Sequence, residues 1–134
     1  MNREPFQKLF ESKGMTFQRA KYVRGFPRLS GAVASEQNAA ELIGTPGHMR
    51  AVNIISRWDT PEDVSAAMDL IHETAKLVFP EAHQQIYDQI QTDKIQPGFN
   101  ETVALSGDGR RNLIMQCAKI TNEITIVFSS FNML

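Results

Sequence analysis

The order of patterns along the chain constrains the fold most. A block from Thr60 to about Asp93 is written with helical spacing, and strand-like segments enclose it on both sides. A helix buries one stripe and a sheet buries one face, so the two become stable together when helices cover the sheet. Within the block Val64, Ala67, Met68, Ile71, Ala75 and Val78 recur at intervals of three and four, which predicts one buried stripe. Its start is strongly marked. Thr60 suits the N-cap, Pro61 the first helical position, and Glu62 and Asp63 the positive end of the dipole. Pro80 separates this stripe from a weaker one, Ala82, Ile86, Tyr87 and Ile90, flanked by Gln84, Gln85, Gln89 and Gln91.

Ahead of the block, Pro5, Phe6, Leu9 and Phe10 predict a short helix that Gly14 ends in the left-handed conformation. Met15 to Val23 reads as a strand, with Phe17, Arg19, Lys21 and Val23 on one face and Ala20 and Tyr22 on the other. Gly25 to Pro27 interrupts it, and Leu29 to Ser35 resumes the alternation. Ala39–Gly44 and Met49–Trp58 form a hairpin around Thr45-Pro46-Gly47-His48, where Gly47 is expected to take the positive φ of a type II turn. Beyond Pro97-Gly98, Thr102–Leu105 and Leu113–Lys119 are joined through Ser106-Gly107-Asp108-Gly109. Thr121-Asn122-Glu123 then turns the chain into Ile124–Phe128, followed by an apolar tail of Phe131, Met133 and Leu134.

The expectation is therefore a single α+β domain over residues 1–134. It has an antiparallel sheet of about five to seven strands, two central helices packed on one face and a short N-terminal helix. Val52, Ile54, Leu113, Met115, Ile124 and Ile126 are assigned to the opposite sheet face. That face would then need cover from a second subunit, the N-terminal helix or the tail.

The apolar and charged fractions, 42% and 22%, suit a packed domain rather than a disordered chain. The net charge of −1 conceals an asymmetry. Residues 1–30 hold seven basic side chains against two acidic ones, and residues 59–101 hold nine acidic against two basic. A single cysteine, Cys117, excludes an internal disulfide framework. The absence of a signal-like stretch or a long apolar run makes cytoplasmic residence, away from membranes, the default expectation.

Catalytic and metal signatures are weak. His48, His72 and His83 are too few and too poorly spaced for a metal centre, and Lys76 stands where a zinc-protease motif starting at His72-Glu73 would place its second histidine. No metal site and no cofactor are expected. Cys117, between Gln116 and Ala118 in an apolar strand, reads as a buried thiol rather than a nucleophile. No serine lies in a Gly-x-Ser-x-Gly elbow. Gly107-Asp108-Gly109-Arg110-Arg111 resembles a phosphate cradle in composition but leads into a strand, so it reads as a hairpin with solvated arginines. Glu62/Asp63 read as helix capping, and Asp88/Asp93 as solvated surface.

Arg19, Lys21, Arg24 and Arg28, interleaved with Phe17, Tyr22 and Phe26, form the one suggestive binding surface. Such a strand suits single-stranded nucleic acid through stacking and phosphate contact, or serves as a cation-guarded sheet edge, or pairs with acidic helices in the same or another subunit. In size and element order the chain resembles the class I chaperones of type III secretion. That resemblance implies a small, cytoplasmic, dimeric protein that binds an extended segment of another protein. It carries over no residue, and the chain departs from the family in its mild charge and in an extra helix before the last strands. The leading expectation is a non-enzymatic protein-binding module, an adaptor, chaperone-like or inhibitor protein that associates with itself as a homodimer. The alternatives are a nucleic-acid-binding protein using the basic strand and a small enzyme with an unrecognised site.

Overall fold

The computed structural model describes residues 2–33, 38–106, 110–117 and 123–130. Helix α1 (Arg3–Ser12) leads into four strands, β1 (Thr16–Val23), β2 (Phe26–Ala32), β3 (Asn38–Thr45) and β4 (His48–Arg57). Helices α2 (Pro61–Val78) and α3 (His83–Gln89) and a 3-10 turn at Thr92–Lys94 follow. Strands β5 (Asn100–Leu105), β6 (Arg111–Cys117) and β7 (Glu123–Ser130) complete a seven-stranded antiparallel sheet of order β1-β2-β3-β4-β7-β6-β5. The helical block carries the chain to the far edge, from which two returns bring β7 against β4 in the middle of the sheet.

Local chemistry sets the helix ends. Gly14 adopts φ +92, Met15 N–H donates to the Phe10 carbonyl at 3.1 Å and Gly14 N–H to the Glu11 carbonyl at 3.0 Å, a Schellman ending of α1. At α2 the Thr60 hydroxyl accepts from Asp63 N–H at 3.1 Å, and the Asp63 carboxylate accepts from Thr60 N–H at 3.2 Å, a complete capping box. Of the expected stripe, Ala67, Met68, Ile71, Ala75 and Val78 are buried and Val64 is half-buried. Thr74 is buried too, its hydroxyl donating to the Leu70 carbonyl at 2.7 Å.

Register decides which side chains share a face. Gly31, Ala40, Ile54, Ile126 and Met115 lie in one row, and Leu29, Leu42, Val52, Phe128 and Leu113 in the next. These rows join Phe6, Phe10, Met68, Ile71, Ala75, Val78 and Ile86 in one core, so all three helices pack on this face. The six residues expected on the opposite face, Val52, Ile54, Leu113, Met115, Ile124 and Ile126, all belong here and are buried. The strands' mixed alternation hid this, because Ile54 and Ile55 are both apolar and either parity looks plausible. Helix α1, expected as a possible cover for the opposite face, instead joins α2 through Phe6 and Phe10.

Two further differences have local causes. The ladder between β1 and β2 shifts register between Ala20 and Val23, so Val23 falls on the face opposite Phe17. Pro27, expected to lie in a break, sits inside β2 opposite this irregularity, where no ladder donor is needed. The break is confined to a tight turn at Arg24 (φ 50) and Gly25 (φ 82). In the β3–β4 hairpin the positive φ falls on Gly44, at +128, rather than on Gly47. A Cβ on Gly44 would lie 2.5 Å from the His48 carbonyl oxygen, so the close approach of the two arms requires glycine at that position.

Candidate functional site

The sheet face opposite the helices carries a mixed surface. Its central rows place Gln18, Ser30, Glu41, Asn53 and Ile114 in line, and beside them Ala32, Ala39, Ile55, Thr125 and Gln116. Ile55 and Ile114 are half-buried, whereas Gln18, Ala32, Gln116, Arg57 and Glu123 are exposed toward the margins. In the middle, Arg28 Nη1 donates to Glu41 Oε2 at 2.6 Å, and Asn53 Nδ2 donates to Glu41 Oε1 at 3.3 Å. Asn53 Oδ1 is buried and finds no donor among the described residues. Half-buried apolar side chains set among polar ones are the composition of a non-obligate protein interface, which is about as apolar as the rest of a protein surface.

The four basic residues singled out in the sequence are split by the register. Arg19 pairs with Leu29 and so projects from β1 on the helix-covered side, at the sheet edge. Arg28 lies on the opposite face and is engaged by Glu41, while its Nε donates to the Lys21 carbonyl at 2.9 Å. Lys21 is exposed beside the β1 irregularity, and Arg24 is exposed at the hairpin tip. The three interleaved aromatics part in the same way. Phe17 turns onto Phe10, with ring centroids 6.3 Å apart, and lies over Gly31. Phe26 is capped by the Arg50 guanidinium, 5.2 Å from its ring centre. Tyr22 alone of the three stands open, 70% exposed.

Other candidate chemistry is dispersed. Cys117 is buried at the end of β6, and burial pushes its thiol pKa up, away from the thiolate a nucleophile needs. His48 lies at the start of β4, whereas Cys117 is aligned through Ile124 with Ser56 near its end. Asp63 is held in the α2 cap, and Asp88 accepts from Gln84 at 2.9 Å. The Gly107-Asp108-Gly109 turn lies outside the described residues, as do Lys119, the Thr121-Asn122 turn and the Phe131–Leu134 tail.

The α2–α3 turn brings together two histidines that spacing alone kept apart. The His72 ring stacks on Tyr87 at 4.4 Å and lies 5.5 Å from the His83 ring. Among the described residues no three His, Cys, Asp or Glu side chains converge on a common point. An open groove of about 350 Å³ runs between α3, the 3-10 turn and β5, lined by Ile90, Lys94, Ile95, Phe99, Glu101 and Val103. Among the described residues no helix is long and apolar enough to cross a membrane.

Comparisons with protein-family models, with curated proteins and with solved structures found no match for this chain.

Proposed function

We propose that the protein is a non-enzymatic protein-binding module that associates with itself through the helix-free face of its sheet. The observation that carries this reading is that face, where Ile55 and Ile114 lie half-buried beside the Arg28–Glu41–Asn53 cluster, together with its size. Seven strands spaced about 4.8 Å apart, with some six residues each at about 3.3 Å, present roughly 700 Å². A stable interface buries about 800 Å² per partner, so a second copy of the same face matches the area available. A two-fold arrangement closes the assembly at two copies, since the same patch serves both sides.

The test is sedimentation equilibrium on the wild type and on Ile114→Glu. The expected result is a dimer for the wild type and a monomer for the variant, with its thermal melt retained. Glutamate at position 114 introduces a charge that the second copy's face would desolvate without a partner. A wild type that stays monomeric up to about 100 μM, where a complex held by about 5.5 kcal/mol would form, contradicts the proposal.

A further inference from the structure

We infer that the β1 edge strand takes up an acidic, extended segment of another protein by strand addition. Strand β1 lies at the end of the sheet and among the described residues pairs only with β2, so its other side offers backbone groups to an added chain. Residues 12–35 contain no acidic side chain. Arg19 and Lys21 are both exposed, and neither forms an ion pair among the described residues. Charge therefore selects the occupant. A second β1 is repelled, whereas a strand carrying carboxylates meets Arg19 on the straight edge and Lys21 just past its end.

The geometry also limits the length of the docked segment. Thr16 to Ala20 pair with β2 in unbroken register, and the irregularity before Val23 ends the straight edge. Tyr22, open beyond that point, is the type of side chain that anchors an interface. A nucleic acid fits the same surface less well. Its bases need successive open aromatic rings, and here Phe17 is turned onto Phe10 and Phe26 is capped by Arg50. It has no use for an open strand edge either.

Fluorescence anisotropy at low ionic strength tests this with a short labelled peptide alternating Glu and Val, its N-methylated analogue and oligothymidylate. The expected result is that the peptide binds and that the N-methylated analogue, which keeps the charges but loses the edge hydrogen bonds, does not. The double variant Arg19→Glu/Lys21→Glu, shown to be folded by circular dichroism, should bind about tenfold more weakly. Amides in Thr16–Ala20 should gain protection from hydrogen exchange in the complex. Equal binding of the N-methylated analogue would reduce the contact to charge attraction and overturn strand addition. Tighter binding of oligothymidylate through the same two residues would overturn it in favour of nucleic acid. No binding at low salt would leave β1 as a guarded edge only. The face used for self-association is a separate surface, so Ile114→Glu should bind the peptide as the wild type does.

Discussion

Gly31 and Phe17 provide a sharp test of how the edge strand is held. The two residues are paired across β1 and β2, and a Cβ added to Gly31 would lie 2.7 Å from Cδ1 and 2.8 Å from Cε1 of the Phe17 ring. Gly31 lacks a positive φ, so the backbone itself accepts alanine. Without the ring, Gly31→Ala should stabilise by roughly 0.5–1 kcal/mol, because glycine loses more freedom on entering a strand. With the ring present, overpacking should cost about 1–3 kcal/mol. Gly31→Ala alone should therefore destabilise by up to about 2 kcal/mol, the difference between the two effects. In a Phe17→Ala background the same change should be neutral or stabilising. Urea denaturation of the four proteins yields the coupling directly, expected at about 1–3 kcal/mol. If the two single changes add to within about 0.5 kcal/mol, the ring does not rest on the glycine and the account of β1 fails.

Three further outcomes follow from the same structure. Thr60→Ala should lower stability by about 1 kcal/mol, since it removes the acceptor of the α2 capping box; an unchanged urea midpoint would contradict that helix start. Ile71→Ala, at a fully buried position under the sheet, should cost about 2–5 kcal/mol in the same assay. Cys117 sets a pH dependence. Burial raises its thiol pKa above its ordinary value, so the folded state holds the proton where the unfolded chain has lost it. The stabilisation is complete below that value and is lost as pH rises beyond it. The wild type should thus lose more stability between pH 8 and pH 10, a range spanning the thiol's ordinary pKa of about 8.5, than Cys117→Ala does. Parallel losses would refute the assignment.

What the sequence revealed was local, and what it concealed was relational. The α2 start and the Gly14 ending are each written within a few residues and lie where their chemistry requires; the Pro46-Gly47 turn is in place, but the positive φ expected at Gly47 falls on Gly44. The facing of the strands was not legible. Ile54-Ile55 is apolar at both parities, and the irregularity after Ala20 reverses the alternation without any glycine to announce it. Strand order is no more visible, because β7 meets β4 only after the helical block has carried the chain across the sheet. The basic residues of the candidate surface could be read as a cluster. Their division between an edge and a face, with Arg28 drawn onto Glu41, depends on register. The His72–His83 approach was missed because it arises from the turn between two helices rather than from spacing within one.

The proposed face and the proposed edge differ in direction, and that difference fixes how an assembly would be counted. Face-to-face pairing is perpendicular to the sheet and closes on itself, so it ends at two copies. Strand addition at β1 lies in the plane of the sheet and leaves the helix-free face uncovered. The two contacts are then compatible, and the full complex contains two copies of this chain and two acidic segments. A segment bound at one edge adds a strand beside β1 and extends the sheet, not the dimer. Binding should therefore be independent at the two sites, with no change in affinity when Ile114→Glu separates the copies. Cooperative uptake of the two segments would mean that the face and the edge communicate, which the continuous central pairing of β4 with β7 gives no reason to expect.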